Sequence, residues 1–419
     1  MTRVRYNILK NYIIGASVLF AALGCAGGAI NDDEVAGAPG VGGSFGEGGA
    51  PLGGSSSSAG SVDRAGTVGK GGSGSGSGAA GSGSGPSAAG MGSGPGAAGS
   101  GPATGGSTGT AGGSTGVGGK LGGGGDGPEF VGNITTGFMN GMDQGTRKFA
   151  TYWDQVTPEN AGKWGSVQSS ASAAFNWTAL DAIYDYAEKN QIIFKQHNFI
   201  WGSQQPGGSI TPEVVQKWMS EFCKRYPNTK LIDVVNEPPP HTSPAYAGSI
   251  GGGTNGDWKW ITNAFTWARA ACPNAVLILN DFNDIEWQND NNHMIDIVKK
   301  VQAAGGPIDA IGAQAHDLDN GSVSLATVTK LLAALNTQTG LPVYITEMDI
   351  DSSDDAKQLS LYKQYLPLFM GTSYVKGITI WGWIYGQTWS SAPNSGLIRN
   401  GAPRSAMTYL MDQLGRPAP

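Results

Sequence analysis

Charge, histidine and cysteine are all scarce in this chain. Only 14% of its 419 residues are charged, and the formal net charge is −6. No basic stripe occurs, so the electrostatic footprint of a nucleic-acid partner is absent. Four His and three Cys, with neither a His-Glu-x-x-His pair nor a Cys/His cluster of zinc spacing, exclude the common zinc sites. The acidic stretches 349–355 and 281–292 do not follow EF-hand spacing and read as solvated loops and helix caps. No metal and no cofactor is expected. Aromatic residues are nearly missing from residues 26–127, where Phe45 stands alone and 41 of the 69 Gly are found. Such a segment cannot bury enough apolar surface to offset its ordering entropy. It lacks the strict Gly-X-Y period of collagen. All twelve Trp fall in residues 128–419, which are numerous enough to build a sizeable core.

The N-terminus reads as an export signal. Arg3, Arg5 and Lys10 form a basic head without acids, and residues 13–24 are apolar. That run is shorter than the ~20 residues of a membrane-spanning helix. Ala22-Leu23-Gly24-Cys25 resembles a bacterial lipobox, with Ala22 where Leu is usual. This implies cleavage after residue 24 and lipidation of Cys25; an ordinary signal peptide with an incidental Cys is the alternative. Residues 25–127 then form a disordered Gly/Ser/Ala-rich tether, whose reach as a flexible coil is roughly 50–60 Å. The expected location is the outer membrane or cell surface, held by the lipid anchor alone, or otherwise secreted. In that oxidising setting Cys223 and Cys272 are a candidate disulfide, two buried free thiols being the alternative.

From residue 128 onward, strand-like apolar runs alternate with helical periods. The strand candidates are 130–138, 149–157, 192–201, 230–237, 275–282, 309–316, 342–349 and 377–383. Several are continuous Val/Ile/Leu runs, as parallel strands buried on both faces require. Eight such units predict an α/β fold, a (β/α)8 TIM barrel over 128–419. A doubly wound open sheet is the alternative, weakened because no Gly-rich dinucleotide fingerprint follows the first strand.

Polar residues gather where the barrel would place chemistry, at the C-terminal strand ends. Glu159, Asn160, Lys163 and Trp164 follow the second strand, and His197, Trp201 and Gln204 belong to the third. Asn236-Glu237, Asn280-Asp281, Gln314 with His316, Glu347 with Asp349, and Trp381 with Trp389 complete the set. A strand-terminal acid is often only a helix cap, but here consecutive strands agree. Two glutamates on opposed strands suit glycosidic-bond hydrolysis, which needs one carboxyl to protonate the leaving oxygen and a second to attack or to activate water. Trp rings give sugars apolar platforms, and Asn, Gln, Lys and His give hydroxyls hydrogen-bond partners.

These motifs resemble the glycoside hydrolase family 10 endo-β-1,4-xylanases. The resemblance rests on V-T-P-E-N-A-G-K-W (156–164), H-N-F-I-W-G-S-Q (197–204), D-V-V-N-E-P (233–238), L-N-D-F-N (279–283), I-G-A-Q-A-H (311–316), I-T-E-M-D-I (345–350) and I-W-G-W…W (380–389). It runs from about 130 to 415. It implies internal cleavage of xylan, or of xylo-oligosaccharides, by a monomer acting with retention of configuration. Glu237 is then the general acid/base and Glu347 the nucleophile, with carboxyls ~5–5.5 Å apart. Asn236 matches the group that bonds the sugar 2-hydroxyl, and His316 and Asp349 the groups that orient Glu347. Substrate contacts carry over to Glu159, Asn160, Lys163, His197, Trp201, Gln204, Phe282, Gln314, Trp381 and Trp389. Three places depart: Gly202 replaces the His of W-H-S-Q, Phe282 replaces the Tyr of N-D-Y-N, and Gly207-Gly208 stand where a Trp is usual. A barrel glycosidase acting on β-glucan or mannan, and a catalytically weak surface carbohydrate-binding protein, are the other readings. His241 and His293 have no expected role. Pro238-Pro239-Pro240 stiffens the loop after Glu237, where a cis bond is expected.

Overall fold

A computed structural model describes residues 127–135, 142–253 and 256–419. The expected signal peptide (1–24), Cys25 and all but the last residue of the expected linker lie outside the described residues. The expected eight strands form a closed parallel barrel in sequence order: β1 (Val131–Ile134), β2 (Gln155–Thr157), β3 (Ile193–Trp201), β4 (Leu231–Asn236), β5 (Val276–Asp281), β6 (Ala310–Ala313), β7 (Val343–Met348) and β8 (Val375–Ile380). Closure is made by β1 against β8, with Val131 opposite Ile378.

One expected strand is partly a helix. Residues 149–157 divide into α1 (Phe149–Tyr152) and the three-residue β2. Phe149 packs edge-on against Trp383 with Trp153 beside it, so this apolar run serves the outer core before the chain enters the barrel. Several other strands are shorter than the runs that announced them, because their polar ends leave the ladder as site-bearing loops.

Helices cover the barrel for ordinary reasons of pattern and capping. In α4 (Pro212–Arg225), Val215, Trp218, Met219 and Phe222 recur at helical spacing and are buried. In α7 (Leu325–Thr339), the Ser324 hydroxyl accepts the Thr327 N–H at 3.1 Å, and Gly340 ends the helix at φ 74°. The floor of the barrel is a separate apolar cluster of Phe130, Leu231, Ile278, Ala310 and Tyr344. Gly377 is needed there, since a Cβ would lie 2.2 Å from the Phe130 ring.

Cys223 and Cys272 are disulfide-bonded, with Cα atoms 5.5 Å apart. The bond joins the last turn of α4 to the C-terminal end of α5 (Lys259–Ala271). It closes a loop of 49 residues in sequence separation. Replacing both Cys by Ser is therefore expected to cost ~2–4 kcal/mol, read as a lower denaturation midpoint that added reductant reproduces in the parent protein.

Candidate active site

Register brings the strand ends together. Trp201 lies opposite Asn236 across β3 and β4, and Asn236 opposite Asn280 across β4 and β5. The next residue, Glu237, turns out of the ladder at φ 50°. Its N–H bonds the Asn280 carbonyl at 2.8 Å, and its own carbonyl accepts the Thr242 hydroxyl at 2.6 Å. The Pro239–Pro240 bond is cis, within the expected proline run. Backbone and loop thus fix the Glu237 carboxyl over the barrel mouth.

That carboxyl accepts Trp201 Nε1 at 2.8 Å and Asn236 Nδ2 at 3.2 Å, with Gln314 Nε2 at 3.4 Å. Burial, then the charges of Asp281 and Glu347, push it up to about 7.

Glu347, in β7, is treated oppositely. One carboxylate oxygen accepts Asn280 Nδ2 at 2.7 Å and lies 3.8 Å from His197 Nδ1; the other lies 3.5 Å from His316 Nε2. Burial alone would raise it, but His197, His316 and Lys195 outweigh burial and hold it at about 2. His316 is held in place by Asp349, Nδ1 to Oδ1 at 2.9 Å, and Asp349 accepts Trp389 Nε1 at 2.7 Å. Burial works against the charged imidazole, yet Asp349 and Glu347 raise His316 well above its ordinary value.

The two carboxyls are joined by amides. Asn236 Oδ1 accepts Asn280 Nδ2 at 2.7 Å and Gln314 Nε2 at 3.2 Å. Asn280 therefore touches both Glu347 and the residue beside Glu237. Thr346 donates to Asn280 Oδ1 at 2.6 Å, which fixes the amide's orientation.

Below Glu347 lies a buried ion cluster. Asp233 Oδ2 accepts Lys195 Nζ at 2.5 Å and His197 Nδ1 at 2.9 Å. His197, Asp233 and Glu347 are the one group among the described residues with atoms close enough to hold a metal. Their facing lone pairs are already engaged by Lys195, Asn280 and the two imidazoles, so the donor set is spoken for as a hydrogen-bonded charge network. His197 itself is 2% exposed and meets Trp381 edge-on at 5.2 Å.

The remaining expected residues fall into two groups, one around Asn160 and one around His316. Lys163 Nζ donates to Asn160 Oδ1 at 3.0 Å and sits 4.8 Å over the Trp201 ring. Gln204 Nε2 reaches the same Asn160 oxygen at 3.4 Å. Glu159 is buried nearby, and burial, partly opposed by Lys163, pushes it up to about 7. Trp389 stands 4.8 Å from the His316 ring.

Sequence reasoning left Asn280, His241 and His293 without a role, and passed over Lys195 and Asp233. His241 bonds Asp281 at 2.7 Å, lies 3.5 Å from Asp290, and stacks on Phe282 at 3.8 Å. Phe282, lacking a hydroxyl, is thus a lid on an imidazole. His293 bonds the Pro239 carbonyl at 2.5 Å and braces the proline loop. Gly202 has a steric reason: a Cβ there would lie 2.7 Å from Ser243 N and from Thr242 Cβ.

This arrangement offers one carboxyl that keeps its proton near neutral pH and one that stays ionised. The family model for glycosyl hydrolase family 10 matches residues 126–413. The chain belongs to this family. An endo-1,4-beta-xylanase B from Cellvibrio japonicus is 41% identical over 291 residues, covering 68% of this chain and 45% of the relative. An endo-1,4-beta-xylanase B from Thermotoga neapolitana is 30% identical, covering 56% of this chain and 71% of the relative. The chain thus spans under half the length of the Cellvibrio relative. Xylanase 10B from Thermotoga petrophila, solved with xylobiose, is 25% identical with a TM-score of 0.59, covering 68% of this chain and 93% of that one.

Proposed function

We propose that the chain is an endo-β-1,4-xylanase that hydrolyses internal bonds of xylan with retention of configuration. The observation that carries this reading is the paired strand-end glutamates in a chain matching the family over residues 126–413, Glu237 bonded by Trp201 and Asn236, and Glu347 by Asn280 with His316 beside it. Their opposed poise, raised for Glu237 and lowered for Glu347, agrees with it. Glycosidic-bond hydrolysis needs one carboxyl that keeps its proton and one that is ionised, and the retaining outcome is assigned from the family match. Glu347 attacks the anomeric carbon as Glu237 gives its proton to the departing oxygen. The glycosidic bond breaks and a glycosyl ester forms on Glu347. Glu237, now ionised, takes a proton from water as that water attacks the same carbon and frees Glu347. Asn236 is assigned to the sugar 2-hydroxyl, and Glu159, Asn160, Lys163 and Gln204 to sugars on the non-reducing side. Trp201, Trp381 and Trp389 wall the cleft.

The test is product analysis with xylan, β-glucan and mannan side by side. Short xylo-oligosaccharides from xylan alone support the reading. Release from another polymer alone moves the activity to that polymer, and no release from any leaves a carbohydrate-binding protein.

The rate should have a lopsided pH profile. Glu237 must carry its proton, so kcat/KM falls about tenfold per pH unit above about 7. Glu347 must be ionised, so loss on the acid side begins only near about 2. A symmetric bell centred on neutrality would contradict these assignments.

The domain organisation belongs to the same proposal: signal peptide 1–24, lipidated Cys25, tether to 127, catalytic domain 128–419. Its support is the basic head, apolar run and small-residue exit before Cys25. Among the described residues no helix is long and apolar enough to cross a membrane. A monomer on a surface tether suits a polymer substrate that would not readily enter a periplasm. Expression of the full chain with a labelled fatty acid should mark the parent protein and not Cys25→Ser; equal labelling, or none in either, would overturn it.

A further inference from the structure

The loop that leaves Glu237 is fastened along its length. The Pro238 carbonyl accepts the His241 N–H at 3.1 Å, and the Glu237 carbonyl accepts the Thr242 N–H at 3.1 Å as well as its hydroxyl. Two imidazoles then tie the loop to the next unit of the barrel, β5 and the helix α6 (Gln288–Ala303) that follows it. His293, in α6, holds the Pro239 carbonyl. His241, in the loop itself, reaches both elements. Its Nδ1 bonds Asp281 Oδ1 at 2.7 Å at the end of β5, and its Nε2 lies 3.5 Å from Asp290 Oδ1 in α6. The ring lies flat on Phe282, 16° from parallel.

This clamp fixes the charge of the ring. A neutral imidazole has one N–H and would turn a lone pair toward one of the two carboxylates; only the imidazolium donates to both. Burial works against that charge, but Asp281 and Asp290 outweigh it and push His241 up to about 10. Asp281 is buried too; burial raises it, and His241 is the cation that opposes burial and favours the carboxylate. The position of that carboxylate follows from register. Glu237 and Asp281 are the residues after Asn236 and Asn280, which lie opposite one another across β4 and β5. After burial, the Asp281 charge is the largest influence that raises Glu237, because a like charge disfavours the ionised acid. Glu347 and Lys163 also act on Glu237, and Asp284 and Asp290 on Asp281.

We propose that His241 is a positioning residue for the acid/base: its imidazolium, clamped between Asp281 and Asp290, fixes the loop behind Glu237 and keeps the Asp281 carboxylate charged beside it. The inference rests on the xylanase reading above. Its test uses two near-isosteric variants, His241→Gln and Asp281→Asn, and reads kcat/KM on linear xylohexaose against pH. Asp281→Asn deletes the charge. His241→Gln leaves the buried Asp281 without its cation, so Asp281 takes up a proton and its charge is lost as well. Without that charge Glu237 gives up its proton more readily, and the alkaline limb should move to lower pH in both variants, by about one unit. Above the limb this reads as a ~tenfold lower kcat/KM than the parent, with a smaller loss at about pH 5. A limb left in the parent's place in either variant would overturn the proposal, because a role in loop packing alone lowers the rate at every pH. A limb displaced to higher pH in His241→Gln would overturn it too, since the imidazolium would then be screening Asp281 from Glu237. If the parent protein leaves xylohexaose uncut, the xylanase reading falls instead.

Discussion

Glu347→Gln should reduce turnover on every glycoside substrate by ~10⁴-fold or more, because it deletes the bond-forming group. The argument is local. Glu347 is buried, yet His197, His316 and Lys195 outweigh burial and hold it at about 2, so its surroundings keep this carboxylate ionised. An amide of the same shape keeps the Asn280 contact at Oε1 but offers no negative charge and little nucleophilicity. A smaller side chain gives a sharper form of the test. Glu347→Gly opens space at the anomeric carbon, and azide should then restore part of the activity as a glycosyl azide of inverted configuration. Both are read by chromatography of products from an aryl xylobioside. Retained turnover within about tenfold of the parent, a loss of only ~1.4 kcal/mol that a missing electrostatic partner alone would explain, would remove Glu347 from the nucleophile's role.

Glu237→Gln should show a loss that depends on the leaving group. With xylan, whose departing alcohol needs a proton, the expected loss is ~10²–10⁴-fold. With a dinitrophenyl xylobioside, whose phenolate leaves unaided, the first step should be nearly unaffected and a burst of phenolate should appear. The alkaline limb near about 7 should vanish as well, since the group that titrates there is gone. Gln keeps an oxygen for Asn236 and Gln314, and the one bond lost is that from Trp201 Nε1, which would face an NH2. Equal losses on both substrates, with the alkaline limb intact, would mean that Glu237 positions substrate instead of transferring a proton.

The barrel was readable because several buried strands are continuous apolar runs, and those from the second onward end in polar residues that a strand has no use for. Asn236-Glu237 and Glu347 stood out for that reason. What stayed hidden depends on distant partners. Lys195 and Asp233 look like ordinary strand residues until β3 and β4 are set side by side, and only then do they form the base beneath Glu347. Asn280 was visible as a strand end, but not as the amide joining Asn236 to Glu347. The run 149–157 reads as a strand because apolarity alone does not tell a barrel strand from a short helix packed on Trp383. Gly202 looked like a lost His; the nearness of Ser243 is a fact of loop packing that no local pattern carries.

The central claim is that a sugar becomes covalently bound to Glu347 after departure of a group protonated by Glu237. The most direct measurement is mass spectrometry of the protein after reaction with a 2-deoxy-2-fluoro xylobioside bearing an activated leaving group, which slows release of the intermediate. One added fluoroxylobiosyl unit per chain, on the peptide containing Glu347 and absent in Glu347→Gln, is the predicted result. Turnover without any adduct, or an adduct on Glu237, would contradict the account.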